Sequence, residues 1–176
     1  LLAGFWNVPF HNISFDTLAY AQEKGISVQM AARDLRYEWF STTCEEIGID
    51  FVFTAHHADD NLETFLIHFL RGSGLDGLCG IPERKGNIIR PLLPFSKRTL
   101  EEFARENHWE WREDSSNAET KYQRNKIRHQ IIPLLKEINP AVLNAFQRTI
   151  NHLQQARDLV NTQINTIIPS VKKNEK

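Results

Sequence analysis

Apolar residues fall into alternating and helical spacings along the chain, and the change from one spacing to the other lays out its elements. Leu1 to Gly4 reads as the end of a helix and Phe5 to His11 as the approach to a strand, with no stretch between them long enough for the crossover that a parallel pair requires. Phe10 to Phe15 alternates apolar and polar side chains and predicts a strand ending at Asp16 and Thr17. From Ser27, a residue suited to an N-cap, Val28, Ala31, Ala32, Leu35 and Trp39 recur at helical spacing toward a core. Ile49 to Phe53 is short and mostly apolar, as expected of a strand buried on both faces. Leu62, Phe65, Leu66 and Phe69 form one stripe of a helix running to Leu70, closed by Arg71-Gly72-Ser73-Gly74, where glycine permits a left-handed stop.

Beyond that stop the pattern weakens. Gly86-Asn87 predicts a hairpin-like turn before Ile88 to Leu93, an edge-type segment interrupted by Pro91. Thr99-Leu100-Glu101-Glu102 has the spacing of a capping box and opens a helix to about Asn107. Trp109 to Arg112 leads into the turn-rich Asp114-Ser115-Ser116-Asn117. In the next run Arg124 and Arg128 share one helical face, while Ile127, Ile131 and Leu134 or Leu135 share another. Asn139-Pro140 predicts a helix start, with asparagine as cap and proline in the first turn. The long amphipathic helix that follows carries Leu143, Phe146, Ile150, Leu153 and Leu159 and reaches about Ile167.

With 176 residues and 41% apolar content, the chain has material for one α/β domain with a real core. A formal charge of −1 argues against holding nucleic acid by general basicity and leaves local basic faces open. Cys44 and Cys79 are too few for a disulfide framework and lack the Cys-x-x-Cys pairs of a zinc ribbon, so they read as reduced and incidental. No apolar run has membrane-spanning length and there is no charged-then-apolar leader; no membrane is expected, and nothing removes the chain from the cytoplasm.

The candidate chemistry is concentrated where the apolar strand should end, at Thr54-Ala55-His56-His57-Ala58-Asp59-Asp60-Asn61-Leu62-Glu63-Thr64. Glu63 follows Asp60 by three residues, which puts both acids on one face of a starting helix. Polar groups at the carboxyl end of a parallel strand are where open α/β sheets bind ligands. Taken singly, each residue has a plainer reading, with the histidines packed under a loop and Asp59 or Asp60 capping the helix. Five such groups in so short a stretch favour a site. For the arginines the plain reading is a solvated face, and for Gly72-x-Gly74 a structural turn.

Ala55-His56-His57-x-x-Asp60-x-x-Glu63-Thr64, Arg71-Gly72-x-Gly74-x-x-Gly77-Leu78, Ala32-Arg33-x-x-Arg36-Tyr37 and Arg124-Asn125-x-x-Arg128 occur together in one chain. In combination they resemble the tRNA(Ile)-lysidine synthases, members of the ATP-pyrophosphatases with a phosphate-gripping Ser-Gly-Gly-x-Asp-Ser loop. The resemblance covers roughly Val8 to Ala145, and that loop is not among these residues. It implies a partial Rossmann-like parallel sheet, of the adenine nucleotide alpha hydrolase type, with helices on both faces and a helical linker behind it. Residues 1–138 would form the nucleotide-binding domain, incomplete on its N-terminal side, and residues 139–176 a linker helix and tail.

The same resemblance implies ATP with Mg²⁺, L-lysine and the anticodon of tRNA(Ile) as cofactors and partners, and leaves a homodimer open. The wobble cytidine would be adenylated at its carbon-2 oxygen, and lysine would then displace AMP. Arg33, Arg36, His56, Arg71, Arg124, Asn125 and Arg128 are the expected ATP and tRNA contacts. Asp60 and Glu63 are the expected lysine acceptors, and His56, Asp60, Arg36 and Arg128 the catalytic group. Which histidine faces the site is left open, as is an exchange of roles between Asp59 and Asp60. Without a phosphate loop these residues alone are expected to turn over no ATP. Two other readings stand beside this one. His56-His57-x-Asp59-Asp60 has ligand types suited to the metal centre of a phosphohydrolase, although no second cluster accompanies it. The other is a non-catalytic tRNA-binding module.

Overall fold

The computed structural model describes residues 2–111 and 123–173, with the side chains of the last helix as far as residue 168. The turn-rich stretch expected at Asp114 to Asn117 lies outside the described residues. The chain divides into two compact units, Leu1–Val52 and Phe53–Lys176.

The first unit is helical: α1 (Leu2–Phe5), α2 (Thr17–Lys24) and α3 (Val28–Ile47), with α2 packed on α3. Both longer helices are set by their ends. Ser27 caps α3 as expected, its Oγ accepting the Met30 N–H at 3.2 Å, and Gly48 ends it in the left-handed conformation. The strand expected over Phe10 to Phe15 is absent. Residues 8–16 carry no regular structure and Phe10 is 76% exposed. Alternation alone does not hold a strand without a paired neighbour. Asp16, read as that strand's end, instead begins α2 by accepting the Ala19 N–H at 2.9 Å.

The second unit joins a small sheet to a helical core. Its elements are β1 (Val52–Phe53, at the junction of the units), α4 (Ala58–Leu70), α5 (Leu75–Leu78), β2 (Arg84–Lys85), β3 (Ile88–Ile89), α6 (Lys97–Glu106), α7 (Gln123–Lys126), a π turn over Ile127–Ile131, α8 (Ile132–Ile138) and α9 (Val142–Lys173). The fold class is α/β, with strand order β1-β3-β2. β2 and β3 pair antiparallel around Gly86, the turn expected there. The expected doubly buried strand over Ile49 to Phe53 is shorter and more open: only Val52 and Phe53 are paired, and Phe53 is 68% exposed. Among the described residues β1 is an end strand of the sheet, paired with β3 on one side only.

α6 starts two residues before the expected capping box, because Ser96 is the cap and Thr99 supplies the N–H it accepts at 3.0 Å. The core unites α4, the π turn, α8 and α9 through Leu62, Ile127, Ile132, Phe146 and Ile150, with Phe65, Leu66 and Leu143 against it. Of the face expected to carry Ile127, Ile131 and Leu134 or Leu135, Ile127 is buried and Leu135 half-buried, whereas Ile131 is 39% exposed and Leu134 54%. The π turn explains the change. It holds one residue more than an α turn, so the buried successor of Ile127 is five positions on instead of four. Asn139 closes α8 through its own N–H and accepts the Ala141 N–H, so α9 starts at Val142, after Pro140. Leu159, expected on the packed stripe, is 65% exposed. Among the described residues no helix is long and apolar enough to cross a membrane.

The loop after α5 is locked to α4 by a buried amide. Asn61, 3% exposed, accepts the Ile81 N–H at 2.6 Å, and the left-handed Gly80 lies where an added Cβ would collide with the Asn61 carboxamide. Gly80→Ala therefore combines strain at positive φ with loss of that bond. It is expected to destabilise this unit by about 1–3 kcal/mol in denaturant unfolding, and an unchanged midpoint would refute the lock.

Candidate active site

α4 begins directly after β1, and the first turn of this helix carries the acids. His57, not an aspartate, is the N-cap. Its extended backbone lets Nδ1 accept the Asp60 N–H at 3.3 Å while Asp60 Oδ2 accepts the His57 N–H at 3.1 Å. A ring nitrogen that accepts this bond carries no proton, so the neutral imidazole holds its proton on Nε2, 3.4 Å from Asp60 Oδ2. The reciprocal cap fixes Asp60, and Glu63 lies one turn further along the same face.

Glu63 is 1% exposed. An ionised carboxylate so far from water needs strong donors, and the helix built from α7 and the π turn brings two. Arg128 grips Glu63 in fork fashion, Nε to Oε1 at 2.6 Å and NH2 to Oε2 at 2.9 Å. Arg124 donates from Nε to Oε2 at 2.8 Å. The same two guanidiniums reach Asp60 Oδ1, at 3.3 Å from Arg124 and 3.2 Å from Arg128. Hydrogen bonding to Glu63 raises the Arg128 pKa further above its already high ordinary value, against the opposing effect of burial. This arginine is a permanent cation at any accessible pH.

Asp59 faces another set of partners. Oδ1 accepts from Lys136 Nζ at 2.7 Å and Oδ2 from the Lys97 backbone N–H at 2.8 Å, which joins α4 to α8 and to the first turn of α6. Burial alone would raise its pKa. The hydrogen bonds from Lys136 and Lys97 outweigh it and hold the carboxyl below the ordinary aspartate value. Three carboxylates thus meet two arginines and one lysine.

The residues expected at the site are placed as follows. Asp60, Glu63, Arg124 and Arg128 are brought together, with Asn125, half-buried, between the two arginines in sequence. His56 is half-buried, and its Nδ1 is 2.9 Å from Thr54 Oγ1. Arg71, exposed past the end of α4, donates to Gln123 Oε1 at 3.2 Å. Arg33 and Arg36 are exposed on α3 of the first unit, with the Arg33 guanidinium 5.0 Å from the centre of the Tyr37 ring. Sequence reasoning missed the capping role of His57 and missed Lys136 entirely. In a regular helix Lys136 does not share the Arg128 face, and no local signal announces the π turn that changes this. Among the described residues no group of three or more His, Cys, Asp or Glu side chains is arranged to hold a metal ion.

An α/β sheet edge that leads into a helix with a polar first turn is the architecture of a ligand-binding α/β domain. The model of the PP-loop domain matches residues 5–135, and the chain belongs to that family. It is 48% identical to a tRNA(Ile)-lysidine synthase of Porphyromonas gingivalis, over 84% of this chain and 33% of the relative. It is 43% identical to one of Parabacteroides distasonis, over 86% and 35%, and 34% identical to one of Thermotoga maritima, over 93% and 39%. The chain spans roughly a third of the length of the curated relatives it matches first.

The depressed Asp59 carboxyl has a pH signature. A folded-state pKa below the unfolded value contributes stability above the unfolded value of 3.8, and this is lost as pH falls through the folded value. Asp59→Asn is expected to cost about 1.5–3 kcal/mol at pH 7, the worth of a charged hydrogen bond. The gap to wild type should close in unfolding curves taken below pH 3.8. A gap that persists undiminished in acid would remove the ion pair as its cause.

Proposed function

We propose that the protein to which these residues belong is a tRNA(Ile)-lysidine synthase, joining L-lysine to carbon 2 of the wobble cytidine with ATP as co-substrate. The observation that carries the reading is the paired-acid, paired-arginine cluster on α4 and the α7 helix. Its members are the motif residues through which the sequence resembles that family, and the relatives bear that name. In the first step the cytidine O2 attacks the α-phosphorus, the bond to the β-phosphate oxygen breaks and pyrophosphate leaves. In the second the lysine amine forms a bond to carbon 2, the carbon–oxygen bond breaks with release of AMP, and the amine gives up a proton.

Asp60 is the acceptor for the lysine ammonium in this scheme. It is the more exposed acid of the pair, its side chain 13% accessible against 1% for Glu63, and the His57 cap holds it in place. Glu63 lies deeper and keeps Arg124 and Arg128 in position. Those guanidiniums, 37% and 29% exposed, bridge from the acids toward the phosphates and the tRNA, as a planar, permanently charged group can. Asn125 and Arg71 would extend that contact, and Arg33 and Arg36, exposed on α3, are further candidates for holding ATP. His56, its Nδ1 2.9 Å from Thr54 Oγ1, would donate to the phosphate or the cytidine oxygen. Mg²⁺ would accompany the triphosphate, held by groups outside the cluster, because each carboxylate in it already receives a cation. The cytoplasm is the compartment of such an enzyme, and a homodimer is compatible with it.

ATP–pyrophosphate exchange by the full-length protein with tRNA(Ile) tests the reading. Exchange that depends on this tRNA supports it, and tRNA binding with no exchange would favour a plain tRNA-binding module. Within an active enzyme, Asp60→Asn keeps shape and removes one charge. Lysine-dependent efficiency should fall about tenfold to a hundredfold, and unchanged lysine kinetics would rule out the assignment. Arg128→Ala leaves Glu63 with one guanidinium fewer in a dry site. It is expected to lose about 3–5 kcal/mol of stability as well as activity, and wild-type stability would show that Glu63 needs no such partner.

A further inference from the structure

We propose that Lys136 is a positioning residue of the acid–arginine cluster: gripped by Asp59 beyond the π turn, it fixes the rotation of the helix that sets Arg124 and Arg128 on Asp60 and Glu63. The inference rests on the cluster being the lysine site proposed above for its functional consequence, and on geometry alone for the rest. Lys136 follows Arg128 by eight residues. At about 100° per residue, a regular α-helix would place it about 80° past two full turns, away from the arginine face. The π turn over Ile127–Ile131 absorbs one residue. The separation then acts like seven residues and falls only about 20° short of two turns. Lys136 is thereby returned to the face that looks at α4, where its Nζ lies 2.7 Å from Asp59 Oδ1.

The same one-residue shift puts both Ile127 and Ile132 in the core. The helical rod is consequently pinned twice on the first turns of α4, at one end by Arg124 and Arg128 on Asp60 and Glu63, at the other by Lys136 on Asp59. Without the second pin only the apolar contacts of Ile132 resist migration of the π turn by a residue, a shift that would rotate the arginines; the Lys136–Asp59 pair adds a charged hold at the far end. Asp59 is seated for this task, 8% exposed and held by the Lys97 N–H. The charges that face it are Lys136 from α8 and Arg128 from the π turn, and the titratable His57 ring at the start of α4 lies 3.9 Å away. Lys136 itself, with 42% of its side chain exposed, lies at the rim and touches none of the acids proposed to receive substrate.

The test is solvent exchange of the Arg128 Nε–H, read by arginine-selective ¹⁵N NMR on the full-length protein, alongside steady-state lysine kinetics. In wild type this hydrogen is protected by its bond to Glu63. Lys136→Met should speed its exchange by about tenfold or more at a temperature where the circular dichroism is still that of the folded state, because the helix gains a rotational alternative. Lys136→Arg, which restores a cation, should recover most of the protection. In the active enzyme KM for lysine should rise more than kcat falls in Lys136→Met, with the same rescue by arginine. If Lys136→Met does not fold, Lys136→Gln, which keeps a neutral donor for Asp59, should show an intermediate exchange rate. Wild-type protection of the Arg128 Nε–H in a folded variant that lacks the cation would overturn the proposal. Lost protection with unaltered lysine kinetics would uphold the positioning and instead count against the lysine site.

Discussion

A carboxylate almost sealed from water has to be answered on the spot, and Glu63 makes that demand of the second unit. Its two oxygens accept three guanidinium hydrogen bonds, from residues more than sixty positions later in the chain. Burying the ion alone would cost several kcal/mol, so the arginines and the acid have to arrive together. The requirement couples α4 to the α7 helix as firmly as the apolar contacts beneath it. Leu62, next to Glu63 in sequence, joins Ile127 in the core, and Ile127 is next to Arg128. Apolar packing and ion pairing therefore impose the same register on the same two helices.

That agreement explains why much of this unit was legible from the sequence and where legibility stopped. Helical spacing located α4, and Gly72 and Gly86 fell where positive φ was needed; in the first unit the same spacing located α3, with Ser27 as its cap. The stretch from His56 to Glu63, with Arg124 and Arg128, stands out in the sequence, and the structure brings Asp60, Glu63 and both arginines into contact. Periodicity could not show that the arginines' partners are the acids themselves, because pairing between distant segments leaves no local trace. It also failed at the π turn, where helical spacing points to Ile131 and the buried residue is Ile132. The strand over Phe10 to Phe15 failed for a different reason: alternation describes a face, and a strand also needs a neighbour to bond.

His57 illustrates how structural and chemical duties divide within adjacent residues. In sequence the two histidines are interchangeable. In the structure one is bound into the helix start through Nδ1, and the other is held by Thr54 at the end of the strand segment. The division matters because a ring nitrogen that accepts the Asp60 N–H holds the helix start in place, and that duty ties His57 to the backbone of α4. His56 lies outside the cap, with its Nδ1 2.9 Å from Thr54 Oγ1.

The balance of charge in the cluster gives its chemistry a particular form. Asp59, Asp60 and Glu63 face Arg124, Arg128 and Lys136, so the cluster offers no surplus charge of either sign to an approaching ligand. Selection has to come from geometry and from exchange of partners. An ammonium that takes an oxygen of Asp60 weakens that acid's hold on the guanidiniums. Arg124, the more exposed of the two, is then better able to turn toward an anion such as a phosphate. Under the proposed function, ammonium and phosphate binding would favour each other, because each would supply the partner that the other displaces and neither would leave a charge unpaired in a dry site. A preassembled ion cluster with paired charges would suit that reaction, since its own pairs satisfy it until both reactants arrive.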